Sequence, residues 1–180
     1  MYLLKPGIKE DPVRRWNLPD RVFFACGACH ILAHAFLERF ASTGFGPIWI
    51  RPRSGFTGNH VFVTNGGLAF DYHGYAHYGR LVDHYAKRAR RLFPGWEADL
   101  VAVTVSLVNR EGAKAIGMDI REPRQFLHDA LPRAHRYLER FDHRVLNQPP
   151  NPALERSGET PAAQGDRWAA RGVKHEHGRP

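Results

Sequence analysis

The chain has two cysteines, and both fall in FFACGACHILAHAF, Phe23–Phe36, with a histidine directly after the second. Two chemistries use those residue types at that spacing. C-x-x-C-H, here Cys26, Cys29 and His30, is the pattern that attaches a c-type haem through two thioethers and an axial histidine. C-G-A-C at the start of a helix instead presents Cys29 as a nucleophilic thiol. The two readings place different demands on the rest of the chain.

An electron-transfer haem needs a second axial ligand, usually Met or His. Met118 is the sole methionine beyond the initiator, and ten other histidines could substitute. Covalent haem attachment normally takes place outside the cytoplasm, and a strand-rich chain fits the small helical cytochromes poorly. A zinc site on Cys26, Cys29 and His30 lacks a second ligand cluster, so no metal is expected. The thiol reading asks for other partners. A free thiol titrates near ~8.5, and the unpaired N–H groups of a helix N-terminus stabilise its thiolate. An imidazole must then take the proton, and an acceptor must orient the imidazole. His60 and Asp71 supply these in GFTGNHVFVTNGGLAFDYHGY, and no cofactor is required.

The elements that must position these groups are legible. Cys29 to Phe40 reads as a helix with Cys29, Leu32, Ala33, Phe36 and Phe40 on one stripe and His30, His34 and Glu38 elsewhere. Gly27 precedes it and Ser42-Thr43-Gly44 ends it. PIWIR (47–51), HVFVT (60–64) and LAFDY (68–72) read as strands, the last two joined at the hairpin signal Asn65-Gly66-Gly67. With the turn centred near Gly66, His60 faces Asp71 or its neighbour, within reach of a carboxylate on Nδ1. Glycines 55, 58, 66, 67 and 74 leave room for a substrate. Residues 71–75, with His77 and Tyr78, either line a pocket or cover a sheet edge as a polar loop; Tyr72 is the substrate-binding candidate there. Arg80 to Phe93 is an amphipathic helix, Leu100 to Val108 a central strand, and Pro123 to Leu146 helical with a break near Pro132. Trp16 and Trp49 read as core, His135 and His143 as exposed. The order of elements gives an α+β fold, an antiparallel sheet with helices on one side.

Composition narrows the setting. Residues 1–147 form one domain, while residues 148–180 lose apolar content and read as a disordered or loosely attached basic tail. Its ending, KHEHGRP, has two histidines that could bind a metal only weakly. A formal charge of +8 invites an anionic partner. The densest basic cluster, Lys87, Arg88 and Arg91, shares one helix side: a solvated face, or a dock for an acidic partner on a non-catalytic domain. Nucleic acid is disfavoured, because no stacking aromatics alternate with the basic residues. No run approaches the ~18–20 apolar residues of a membrane span. The first residues lack the apolar core and cleavage site of a secretory signal, so the expected compartment is the cytoplasm, with other export routes left open.

CGACH resembles the C-G-[SA]-C-[WY] signature of papain-type cysteine peptidases, in which the second cysteine, here Cys29, is the nucleophile. NHVFVTNGGLAFD is similar to the His-strand-turn-strand-Asp segment of the transglutaminase-like branch of that superfamily. The resemblance covers Val22 to Gly74 and implies a Cys29-His60-Asp71 core, with a Cys-bearing helix packed on an antiparallel sheet. It implies attack on an amide, peptide or isopeptide bond of a peptide or protein substrate, with a neutral to mildly alkaline optimum. Three positions depart from the papain pattern. His30 replaces the aromatic residue, Phe23 stands where the oxyanion glutamine would be, and Cys26 has no third cysteine to bridge. Oxyanion stabilisation then falls to the Cys29 N–H with Asn59 or Trp49 as second donor.

Overall fold

Asp11 and Pro12 open the first helix of the computed structural model, which describes residues 2–147. Proline at the first helical position gives up an N–H that would lack an acceptor, and Asp11 Oδ1 accepts from Val13 N–H and Arg14 N–H at 2.9 Å each. This helix, α1 (Pro12–Trp16), is followed by α2 (Asp20–Ala25) and α3 (Cys29–Arg39). Helix formers fill α3, and a left-handed Gly44 (φ 71°) ends the short 3-10 turn Ala41–Thr43 after it. The expected single stripe understates its burial. His30, Ile31 and Ala35 are buried along with Cys29, Leu32, Ala33 and Phe36, so α3 is a central helix.

The strands β1 (Gly46–Pro52), β2 (His60–Thr64), β3 (Leu68–Asp71), β4 (Gly74–His77) and β5 (Ala98–Ala102) form one open sheet in the order β4-β3-β2-β1-β5. Every neighbouring pair is antiparallel. The pleat sends Trp49, Val61, Val63 and Phe70 into a core with α3, and Ile48, Ile50, Phe62 and Ala69 into a second core with α4 (Tyr78–Leu92). Both faces are therefore covered, which corrects the expectation of helices on one side. The reason is readable in HVFVT, whose five residues are all buried, so neither face is wet. Lys87, Arg88 and Arg91 lie on the exposed side of α4.

Four further expectations change. Residues 74–77 are the edge strand β4, entered through a tight turn at Gly74 (φ 99°). A Cβ there would stand 2.8 Å from the Phe141 ring, so glycine is required. The apolar run after Ala98 gives only the half-buried edge strand β5 and then leaves the sheet. Instead of one long C-terminal helix, α5 (Arg110–Ala115) precedes a 3-10 turn Pro123–Gln125, α6 (Ala130–Leu138) and a 3-10 turn His143–Asn147. Pro132 sits in the first turn of α6, where it breaks nothing. His143 is half-buried, accepting from Tyr75 OH at 2.7 Å and donating to Leu138 O at 2.8 Å. No helix among the described residues is long and apolar enough to cross a membrane. The expectations for the basic tail lie outside the described residues.

Candidate active site

Cys29 is the first residue of α3, and the residue before it, Ala28, offers no side chain to cap the helix. Asp11, Asn109 and Asp129 do cap α1, α5 and α6. With no capping oxygen, the positive end of α3 is left to stabilise a thiolate on the helix's first residue. The β2–β3 ladder ends at the pair Val63–Phe70, and beyond it Val61 N–H donates to Cys29 Sγ at 3.4 Å. Both free cysteines are buried.

His60 is held from two sides. Its ring stacks on Tyr85 of α4 at 5.1 Å and 5°, and the Tyr72 ring meets it edge-on at 5.3 Å. Tyr85 OH is fixed in turn by donating to Gly58 O at 2.8 Å. In this setting His60 Nε2 lies 3.2 Å from Asp71 Oδ2. A carboxylate only accepts, so Nε2 carries a hydrogen toward Asp71, and Nδ1 is the nitrogen that gains or loses the second proton. That corrects the expected Nδ1 contact. The register explains the change: Val63 pairs Phe70 and Thr64 pairs Ala69, and extending it puts His73 opposite His60, so Asp71 reaches diagonally. Asp71 Oδ1 also accepts from His73 N–H at 2.7 Å, which fixes the carboxylate at the β3–β4 turn.

His60 Nδ1 is buried without a hydrogen-bond partner among the described residues. It is the nitrogen left to exchange a proton with Cys29. Burial pushes the Cys29 thiol up, but hydrogen bonding and charge from His30 and His60 outweigh it and bring the thiol down to about 5. Burial pulls His60 down, while Asp71 and the Cys29 thiolate raise it to about 9. Asp71 is opposed by burial and held well below the usual carboxylate range by His60 and His73. These directions agree: each favours the charged form, thiolate on Cys29, imidazolium on His60 and carboxylate on Asp71.

The residues expected from sequence divide into those on the reaction side and those behind it. Cys29, His60, Asn59 and Trp49 line one cavity of about 480 Å³. Trp49 Nε1–H donates to Asn59 Oδ1 at 2.9 Å, so the indole is engaged and Asn59 keeps its amide N–H groups as donors. Tyr72 is buried and packs behind His60, outside the cavity wall. Cys26 differs from Cys29: its Sγ lies 3.8 Å from Tyr2 O, and burial is the main force raising its thiol.

Two participants were not foreseen. His30 lies off the expected apolar stripe, yet it is buried beside Cys29 and donates from Nε2 to Arg121 O at 2.8 Å. Tyr85 lies within the amphipathic helix expected over Arg80 to Phe93, and its stack on His60, far away in the sequence, gives it a role. No group of three or more potential metal ligands occurs among the described residues. No family model, curated protein or solved structure matches the chain.

Proposed function

We propose that this protein is a cysteine-dependent hydrolase or acyltransferase acting on amide, peptide or isopeptide bonds, with a papain-like or transglutaminase-like core. The observation that carries the reading is the placement of His60: Nε2 bonded to Asp71 and an unpartnered Nδ1 beside a thiol whose pKa is lowered. The Cys29 thiolate attacks the carbonyl carbon. The oxyanion is met by the Cys29 N–H of the uncapped helix and by the Asn59 amide. As the tetrahedral intermediate collapses, His60 Nδ1 gives its proton to the departing amine, and an acyl-thioenzyme remains. Water or an acceptor amine then loses a proton to His60 and adds to the thioester, which returns the Cys29 thiolate. Asp71 holds the ring and stabilises the imidazolium throughout.

The haem alternative fits these residues less well. His30 Nε2, the nitrogen most haem histidines offer to iron, is donating to Arg121 O, and Cys29 Sγ accepts from Val61 N–H. The deciding experiment is a thiol-directed acyl probe applied to the full chain, with modified residues located by mass spectrometry. Rapid modification at Cys29 in the unaltered chain and its loss in Cys29→Ala are expected. Modification of Cys26 at the same rate would sink the assignment.

A further inference from the structure

Arg15 is a cation in an unusual place. It is only 5% exposed, it belongs to the short helix α1, and it lines the same cavity as Cys29 and His60. Buried arginines are normally paired with acids, because an isolated buried charge is costly. Among the described residues Arg15 has no carboxylate partner. Its guanidinium carries five N–H donors, yet its one hydrogen bond among the described residues is a long one, 3.3 Å from Nη2 to Gly27 O. The Phe126 ring lies 4.6 Å from its centre and supports it as a cation–π platform.

The sequence makes room for this cation at the nucleophile's own loop. Gly27 has φ 112°, and a Cβ at that position would stand 2.8 Å from Arg15 Nη2. The glycine of CGAC thus admits a guanidinium two residues before Cys29. The rest of the wall has the same sign: Lys9, Arg110 and Arg121 also line the cavity, against a single acid, Asp119. Asp119 lies 3.5 Å from Arg110 and is largely exposed, so it does not neutralise Arg15.

We propose that Arg15 binds a carboxylate of the substrate, so that the preferred substrates carry an acidic group close to the carbonyl that Cys29 attacks. This rests on the thiol-hydrolase reading. A planar guanidinium whose N–H groups are mostly unpaired among the described residues matches a carboxylate through two parallel hydrogen bonds, and the burial of Arg15 strengthens the pairing. The basic residues at the cavity mouth steer such a substrate inward. The bound carboxylate supplies the carboxylate partner that Arg15 lacks among the described residues.

Iodoacetate and iodoacetamide test this, since they alkylate the same sulfur with loss of iodide and differ in one carboxylate. Second-order rates at Cys29 are measured at pH 7 on the full chain, with tandem mass spectrometry separating Cys29 from Cys26 and glutathione as the reference thiol. The iodoacetate-to-iodoacetamide ratio at Cys29 should exceed that of glutathione about tenfold. Arg15→Gln should abolish the excess and Arg15→Lys retain part of it. Succinate, and not succinamide, should protect Cys29 in the unaltered chain at matched ionic strength. A ratio equal to glutathione's, a ratio unchanged by Arg15→Gln, or no protection by succinate overturns the proposal. A merely structural Arg15 would slow both reagents together and leave the ratio intact. If Arg15→Gln does not fold, the two measurements on the unaltered chain decide. An iodoacetamide rate no faster than glutathione's would instead overturn the thiol-hydrolase reading itself.

Discussion

Cys26 and Cys29 are three positions apart and both buried, yet their surroundings drive the two thiols in opposite directions. Cys26 lies past the end of α2, near the Tyr2 carbonyl, with no imidazole among the groups that shift it. Burial dominates there, and the thiol is raised. Cys29 is about equally buried, but it opens an uncapped helix, receives the Val61 N–H and is acted on by His30 and His60. Burial alone does not make a thiol inert; in a low-dielectric setting the same enclosure strengthens whatever charges and donors face it. The difference between the two cysteines is a difference in neighbours.

The largest test of that contrast is substitution. Cys29→Ala should reduce turnover by about 10⁴-fold or more, while Cys26→Ala should keep it; equal loss in steady-state assays would erase the distinction. Asp71→Asn comes next, with a loss of roughly 10²- to 10⁴-fold. Without the carboxylate His60 falls back from its raised pKa, so Cys29 loses a cation and its alkylation midpoint should move up toward that of Cys26. No upward movement in a pH–rate titration would detach Asp71 from the thiol.

The pH dependence separates the cysteines in the unaltered protein. Alkylation of Cys29 should rise as pH increases through about 5, where the thiolate forms, and turnover should fall through about 9, where His60 loses the proton owed to the leaving group. Cys26, with its raised thiol, should react only in alkaline solution. Coincident alkylation curves for the two would refute the assigned environments. A smaller effect is expected at the β3–β4 turn. Gly74→Ala forces a side chain into positive φ and against Phe141, which should cost about 2 kcal/mol in denaturant unfolding. Tyr85→Phe removes only the bond to Gly58 O while keeping the stack on His60, for a loss of about 1 kcal/mol. Near-unchanged Cys29 reactivity in that variant would show that the ring, and not the hydroxyl, holds the imidazole.

Much of the scaffold was readable because its signals are local. Asn65-Gly66-Gly67 between two apolar runs announces the β2–β3 hairpin, and the alternation in α4 announces its inward face. β4 was not readable as a strand, since residues 74–77 mix glycine, tyrosine and histidine without an apolar alternation; pairing with β3 gives it its form. The run from Leu100 to Val108 misled for the converse reason. Its residues favour strand, but β5 pairs only with β1 and the chain leaves at Ala102.

By itself the sequence determined that a cysteine opens a helix, that a histidine and an aspartate share a hairpin, and that the fold is α+β. Those are matters of period, turn chemistry and residue type, which act over a few neighbours. Only the tertiary structure decided which imidazole nitrogen meets Asp71, because Tyr85 of α4 orients that ring from outside the hairpin. Only it brought Arg15 and the Val61 N–H to the CGAC loop. Burial and electrostatic shifts depend on distances between segments far apart in the chain, and spacing in the sequence does not encode them.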